Sequence, residues 1–262
     1  MTVGTLASVI ETFASQGASV FAIAEQRSPV SPKLSPTEVA RQTTVRIVTD
    51  SGMGSGVIIR RQGQVYTAIT CRHVLADFWD RQITVLSMDG VIHLAQFQPF
   101  STPANQTLDL DLALVTFHSE RGYQVASLGD SDRMAANDLV YASGFPNYSF
   151  PNKNAIESTR NWGIRAYRLT EGKVAMQLDK SLPGGYRLGY SNEIEQGMSG
   201  GPVFNDRGQV IGINGRLKYP LQGIEVFTFS DGTKPSIALF RQMETLSWAI
   251  PVSSFQSAIA IH

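Results

Sequence analysis

The sequence predicts an all-β protein whose strands form two barrels. Short β-branched or alternating runs follow one another along most of the 262 residues, and 23 glycines supply the tight turns that join them. Patterns that start helices occur only near the two ends of this strand-rich region. Because helices do not alternate with strands, two all-β barrels are favoured over a parallel α/β sheet.

Composition narrows the class of protein further. Apolar residues make up 42% of the chain and charged residues 17%, so the chain has enough apolar surface for a core and does not resemble a disordered protein. The 22 basic and 22 acidic residues cancel, so we expect no nucleic acid partner. Cys71 is the only cysteine, which excludes an internal disulfide and a zinc site built on cysteine pairs. The sequence has no run of 18 apolar residues, and we expect no membrane span.

Residues 1–34 are expected to form a leader and a proline-rich linker. Residues 1–24 are weakly apolar and end in small residues, but no Lys or Arg precedes Arg27, and Glu11 interrupts the apolar segment. A degenerate export signal and a loosely ordered leader both fit this pattern. The sequence therefore leaves open whether the protein is cytoplasmic, periplasmic or secreted.

The first half of the strand-rich region begins with a helix. Ser35, Pro36 and Glu38 fit a capping box with proline at the first helical position, which predicts a short helix toward Gln42. The pair Asp89-Gly90 lies between two alternating runs and predicts a hairpin. The predicted strands of this half cover residues 43–49, 56–61, 65–70, 83–88 and 91–97.

A leucine repeat closes the first half. Leucines recur with period two at positions 108, 110, 112 and 114, which predicts one strand with Asp109 and Asp111 on its other face. We therefore assign residues 35–121 to the first barrel and 122–262 to the second. The second half has predicted strands at residues 138–142, 165–169, 186–190 and 210–213 and around Val203. A capping box at residues 253–256 predicts a carboxy-terminal helix that carries Phe255 and Ile259 inward.

The string GMSGGP at residues 197–202 is the main candidate for a catalytic site. Glycines on both sides let the backbone approach a substrate, which makes Ser199 a candidate nucleophile. A serine nucleophile needs a base, which is normally a histidine oriented by a carboxylate. Of the four histidines, His73 directly follows a predicted strand, in a loop that leaves a barrel.

The same string also matches the G-x-S-x-G elbow of α/β-hydrolases. In those enzymes the acid and the histidine follow the serine along the chain, and the elbow passes from a strand into a helix. Here only His262 follows Ser199, and the flanking residues predict strands. The order histidine, aspartate, serine is met by His73, Asp111 and Ser199, and this order favours the two-barrel interpretation.

Three motifs stand in this order along the chain: TAITCRHV at residues 67–74, DLALV at 111–115 and GMSGGP at 197–202. They resemble the three signatures of the trypsin-like serine peptidases, in their bacterial form. The resemblance implies a chymotrypsin-like fold, with two packed six-stranded antiparallel Greek-key barrels and a carboxy-terminal helix. It also implies a serine endopeptidase that hydrolyses polypeptide substrates without a cofactor. The alternative function is a peptide-binding module that keeps the scaffold but has no useful turnover.

The resemblance assigns a role to each residue of the candidate site. Ser199 becomes the nucleophile, His73 the general base and then acid, and Asp111 the carboxylate that fixes the imidazole tautomer. Asp109 is a rival acid, but the Leu-Ala-Leu-Val run follows Asp111 directly. The backbone N–H groups of Gly197 and Ser199 would form the oxyanion hole.

The resemblance says less about specificity and regulation. Glu193 in the specificity pocket would favour a Lys or Arg side chain, whereas Arg216 would attract an acidic one, and Asn214 is the third candidate. Met198 stands where digestive members carry an aspartate that pairs with a new amino terminus, so we expect no activation by that route. The long loops at residues 147–161 and 217–234 are candidates to cover the cleft. The histidines have no partner at i,i+4, and we expect no metal site.

Overall fold

Six antiparallel strands close into the first barrel of this computed structural model, which describes residues 34–50, 52–75, 82–98, 109–152 and 155–256. Around the barrel the strands run in the order β1-β2-β3-β6-β5-β4. Because β4 returns to pair with β1, the arrangement is a Greek key. The strands are β1 (Thr44–Val48), β2 (Met53–Gln62), β3 (Val65–Thr70), β4 (Ile83–Leu86), β5 (Ile92–Gln98) and β6 (Ala113–His118).

The second barrel repeats this topology, with a hairpin inserted between its first two strands. Its strands run in the order β10-β11-β14-β13-β12-β7 and pair antiparallel. They are β7 (Leu139–Gly144), β10 (Arg168–Leu182), β11 (Tyr186–Tyr190), β12 (Pro202–Asn205), β13 (Val210–Arg216) and β14 (Ser247–Pro251). The inserted hairpin consists of β8 (Tyr148–Asn152) and β9 (Ala155–Ser158). The prediction of two six-stranded antiparallel barrels is therefore confirmed.

Polar contacts fasten the two barrels to each other. Arg46 of β1 is buried, and its guanidinium donates to the carbonyl and the hydroxyl oxygen of Thr159 at 2.9 and 2.8 Å. Thr44 Oγ1 lies 2.7 Å from Ser143 Oγ of β7. One continuous cluster of buried side chains also includes Val57 of the first barrel and Trp248 of the second. The barrels therefore share apolar packing and buried hydrogen bonds.

Two helices flank the strands. Helix α1 (Pro36–Thr43) starts with the predicted capping box, in which the amide N–H of Ser35 donates to Glu38 Oε2 at 2.8 Å. Helix α2 (Ile237–Met243) was not predicted; its N-cap Ser236 accepts a hydrogen bond from the Leu239 amide. Among the described residues, no helix is long and apolar enough to cross a membrane.

Three predictions of secondary structure need correction. The leucine-rich strand begins at Ala113, because the segment before it bonds to the second barrel: Leu110 bridges Gly184, and the Asp111 amide donates to the Gly184 carbonyl at 3.0 Å. In the predicted strand at 165–169, residues 165–166 end a 3-10 helix (Arg160–Ala166), in which Gly163 has a φ of 58°. Only residues 168–169 belong to a strand, as the start of β10. The loop predicted at 147–161 contains the β8–β9 hairpin.

Some predictions concern residues that the structure does not describe. Of the predicted leader and linker, only Leu34 lies within the described residues. At the other end a 3-10 turn (Val252–Ser254) leads to the fully buried Phe255, and Ile259 of the predicted carboxy-terminal helix lies outside the described residues. The division of the chain after residue 121 stays a prediction.

Candidate active site

His73 lies where β3 leaves the first barrel. The strand ends at Thr70, and a single 3-10 turn (Arg72–Val74) presents the half-exposed His73 side chain. Two donors of this residue reach one carboxylate: Nδ1 lies 2.6 Å from Asp111 Oδ2, and the His73 amide donates to Asp111 Oδ1 at 2.9 Å. Because the carboxylate is an acceptor, Nδ1 carries the proton, and Nε2 is left as the basic nitrogen.

The Asp111 carboxylate is largely buried, with 17% of its side chain exposed. Burial raises the pKa of Asp111. The hydrogen bonds and charge of His73 and a hydrogen bond from Tyr186 together lower this pKa by more than burial raises it, so it lies below its ordinary value. The Arg72 amide also donates to the Asp111 carbonyl at 3.1 Å. Asp111 is therefore an ionised, fixed partner of the imidazole at neutral pH.

The rival carboxylate lies apart from this pair. Asp109 is 81% exposed and forms an ion pair with Arg72 at 3.2 Å, on the surface beside His73. It has no hydrogen bond to His73 among the described residues. The geometry thus brings His73 together with Asp111 and not with Asp109.

Ser199 lies in a turn that is held against the first barrel. Its carbonyl accepts a hydrogen bond from the Ser55 amide of β2 at 2.8 Å. The neighbouring Gly200 has a φ of +85°, and a Cβ atom there would overlap Ser55 O and Thr70 Oγ1. The turn therefore packs against the end of β3, three residues before His73. Among the described residues, no hydrogen bond joins Ser199 Oγ to the imidazole in this structure.

The two backbone amides predicted for the oxyanion hole belong to peptides whose carbonyls are already bound. The Gln196 carbonyl accepts from the Asn147 amide at 2.7 Å. The Met198 carbonyl accepts from the Gly201 amide at 3.0 Å and from Asn214 Nδ2 at 2.5 Å.

In a trans peptide the N–H points opposite to the C=O, so the N–H groups of Gly197 and Ser199 point away from these partners. Neither amide has an acceptor among the described residues. Gly197 has a φ of +98°, which favours glycine at this position.

The three predicted specificity residues lie in different surroundings. Glu193 is exposed and forms an ion pair with Lys218 at 2.5 Å. Asn214 is fully buried behind the Ser199 turn. The Arg216 guanidinium donates to the carbonyls of Val226 and Pro183, each at 2.7 Å. Only Arg216 lines the cavity of about 640 Å³ that His73 and Asp111 also line. Whether any of the three sets specificity stays a prediction.

Cys71, His73 and Asp111 are the one group of potential metal ligands in the described part of the chain, with ligand atoms within 4.8 Å of one another. The thiol is completely buried, and burial raises the pKa of Cys71 well above its ordinary value. A metal needs the thiolate, so this environment disfavours metal binding. The expected absence of a metal and of a cofactor stays a prediction.

Sequence reasoning missed two residues that contact the site. The Ser55 hydroxyl donates to the Gly197 carbonyl at 2.8 Å and accepts from the Phe145 amide at 2.8 Å. The Tyr186 hydroxyl donates to Asp111 Oδ2 at 2.6 Å. Ser55 directly precedes one predicted strand and Tyr186 begins another, and only their closeness to the site in the folded protein identifies them.

Comparisons with known proteins agree with this fold. Serine protease Do-like HtrB of Bacillus subtilis is 31% identical over 67% of this chain and 35% of its own length. Serine protease HTRA4 of Homo sapiens is 28% identical over 70% of this chain and 35% of its own length. The chain thus spans about a third of the length of these curated relatives.

Among solved structures, an HtrA-type protease AlgW with tripeptide matches with a TM-score of 0.58 and 21% identity, over 86% of this chain and 61% of that chain. This likeness concerns the fold. The trypsin-like peptidase domain family matches residues 54–213, more than half of the chain, which confirms the family predicted from the motifs. The chain belongs to the trypsin-like peptidase domain family.

Proposed function

We propose that the protein is a serine endopeptidase that cleaves polypeptides through an acyl-enzyme, with Ser199, His73 and Asp111 as its triad. The observation that carries the proposal is the pair of hydrogen bonds from His73 to Asp111, which leaves Nε2 as the base. The Ser199 turn packs against Thr70 and Cys71, just before His73. The named serine proteases among the relatives support the same reaction class. No step of this reaction needs a cofactor.

The first half of the reaction forms the acyl-enzyme. Ser199 Oγ attacks the scissile carbonyl carbon while His73 Nε2 takes the hydroxyl proton. The carbonyl oxygen becomes an oxyanion, for which the N–H groups of Gly197 and Ser199 are the proposed donors. The C–N bond then breaks, and the imidazolium gives its proton to the leaving amine. Asp111 stays ionised and stabilises the positive imidazolium in both steps.

The second half releases the product. Water attacks the ester carbonyl and loses a proton to His73 Nε2, and the second oxyanion collapses with cleavage of the bond to Ser199 Oγ. The same proton returns to the Ser199 oxygen, so the enzyme ends in its starting state. Met198, which is buried in the apolar core of the second barrel, supports the view that proteolytic activation through an aspartate there is not required.

Intact-mass analysis after exposure to a fluorophosphonate tests the proposal, because this reagent needs an activated serine. We expect one adduct on the wild-type protein and none on Ser199→Ala or His73→Ala. A folded wild-type protein without an adduct would overturn the proposal and favour the peptide-binding alternative. Equal labelling of His73→Ala would contradict the role of the imidazole.

A further inference from the structure

Tyr186 is a buried side chain of the second barrel that reaches the carboxylate of the first. It is the first residue of β11 and is 2% exposed. Its hydroxyl lies 2.6 Å from Asp111 Oδ2, the same oxygen that His73 Nδ1 approaches at 2.6 Å. An ionised carboxylate only accepts hydrogen bonds, so the phenol is the donor.

The surrounding residues keep the phenol in this place. A Cβ atom on Gly215 would overlap the Tyr186 hydroxyl, so a residue without a side chain at 215 makes room for it. The Arg216 guanidinium lies 4.8 Å from the centre of the Tyr186 ring. Gly184, two residues before Tyr186, accepts the hydrogen bond of the Asp111 amide. Main chain and side chain of Asp111 are thus both held by the hairpin between β10 and β11.

We propose that Tyr186 is a positioning residue of the triad, which orients the Asp111 carboxylate from the second barrel so that His73 keeps the catalytic tautomer. The inference rests on the proposed function of Ser199, His73 and Asp111.

The proposal follows from how the two carboxylate oxygens are bound. Among the described residues, Oδ1 accepts only the His73 amide, whereas Oδ2 accepts both the imidazole and the phenol. Without Tyr186, every hydrogen bond to the carboxylate among the described residues would come from His73 itself. The phenol therefore fixes the carboxylate plane independently of the imidazole, including when the ring changes its charge during turnover.

The charged and titratable groups around the carboxylate agree with this role. Burial raises the pKa of Tyr186 well above its ordinary value, so the phenol keeps its proton at neutral pH. Burial likewise keeps the Cys71 thiol neutral, with Sγ 3.7 Å from the Tyr186 hydroxyl. Arg216 is the cation over the ring, and Arg72 contacts Asp111 through its main chain. Loss of the phenol donor would raise the pKa of Asp111.

A pair of Tyr→Phe variants on one strand tests the proposal. Tyr186→Phe removes the donor to Asp111, whereas Tyr190→Phe removes a buried hydroxyl that has no hydrogen-bond partner among the described residues. We expect kcat of Tyr186→Phe to fall about tenfold to hundredfold, the range for a hydrogen bond to a charged group, with KM changed less than about threefold. The acid limb of its pH profile should move to higher pH. Tyr190→Phe should keep the wild-type kcat and profile.

Gly215→Ala provides a second route to the same defect, because the new methyl group occupies the place of the hydroxyl. Its loss of kcat should be less than additive with that of Tyr186→Phe, since both changes remove one hydrogen bond. Additive losses would contradict a shared mechanism. Wild-type kcat and pH profile in Tyr186→Phe, or an equal loss in Tyr190→Phe, would overturn the proposal.

A measurement without turnover separates this proposal from the proposed function. The proton on His73 Nδ1 in its bond to Asp111 is observable at low field by NMR, and His73→Ala identifies the signal. We expect Tyr186→Phe to shift or broaden this signal and Tyr190→Phe to leave it unchanged. If the wild-type protein hydrolyses nothing and the signal still depends on Tyr186, the proposed function fails while the positioning role stands. An unchanged signal in Tyr186→Phe overturns the positioning role.

Discussion

The two sides of the proposed triad are held in place by different means. On the acid–base side, the Asp111 carboxylate has side-chain hydrogen bonds to His73 and Tyr186, and this set includes residues of both barrels. On the nucleophile side, the Ser199 turn is held mainly by backbone hydrogen bonds and by glycines that let main chains approach each other. The first side should therefore be sensitive to the loss of polar atoms, and the second to the addition of atoms.

The largest effect should come from Asp111→Asn, which keeps the shape of the acid and removes its charge. The amide can donate to Nδ1 and so favours the wrong imidazole tautomer, and we expect kcat to fall by about 10⁴. Steady-state kinetics on a peptide substrate and the rate of fluorophosphonate labelling measure this loss. A loss of less than tenfold would show that Asp111 is not the acid.

Gly200→Ala should disrupt the packing of the Ser199 turn by adding one methyl group. Steric overlap with Ser55 O and Thr70 Oγ1, together with the φ of +85°, should lower the free energy of unfolding by about 3 kcal/mol. Gly90→Ala is the matched control, because Gly90 has a φ of +84° and open space around its Cβ position. Urea unfolding of both variants separates the overlap from the backbone cost. Equal destabilisation would mean that the close approach at Gly200 is unimportant.

Ser55→Ala sharpens the comparison, since Ser55 is a side chain of the first barrel that supports the nucleophile side. Its removal leaves the Gly197 carbonyl and the Phe145 amide without this partner, at a cost of about 1–3 kcal/mol. We expect lower stability and a kcat reduced roughly tenfold, because the carbonyl of Gly197 loses its anchor. Wild-type kcat in a destabilised Ser55→Ala protein would limit Ser55 to a structural role.

The acid–base side should also respond to pH through Asp111. Its pKa in the folded protein lies below the ordinary value of 3.8, so the ionised carboxylate stabilises the fold above that pH. This contribution is lost as the pH falls through the folded-state pKa. As the pH falls below about 4, the free energy of unfolding of the wild-type protein should therefore fall more steeply than that of Asp111→Asn. Parallel curves in acid would argue against a lowered pKa.

Asp109→Asn should have the smallest effect. Its ion pair with Arg72 is exposed and contributes little, so kcat should change less than twofold and stability by less than about 0.5 kcal/mol. Steady-state kinetics of Asp109→Asn and Asp111→Asn, measured side by side, compare the two aspartates directly. A large loss in Asp109→Asn would reverse the assignment of the acid.

The sequence was sufficient for features that depend on local pattern. The capping box at Ser35 and the alternation of β3 predicted their elements, and three motifs in order predicted the family. The leucine repeat predicted a strand that starts too early along the chain. The period-two pattern does not show that the Asp111 amide bonds to the Gly184 carbonyl of the other barrel. The sequence predicted only the first residues of β10 because just three of its 15 residues are buried, so its apolar alternation is weak.

The contribution of Tyr186 was invisible for a related reason. A tyrosine at the start of a predicted strand is ordinarily interpreted as a core residue. Tyr186 is also 75 positions from Asp111 in the sequence. Its partner Gly215 is explained only by the approach of the hydroxyl. Contacts between distant segments are set by tertiary packing, which a single sequence does not specify.

The hydrogen bond between the Asp111 amide and the Gly184 carbonyl has a consequence for the newly made chain. Synthesis delivers His73 and Asp111 well before Gly184, Tyr186 and finally Ser199. A first barrel that folds early on the ribosome therefore lacks the hairpin that orients its carboxylate, and it lacks a nucleophile. The chain can reach the proposed triad arrangement only after most of its second barrel has emerged from the ribosome.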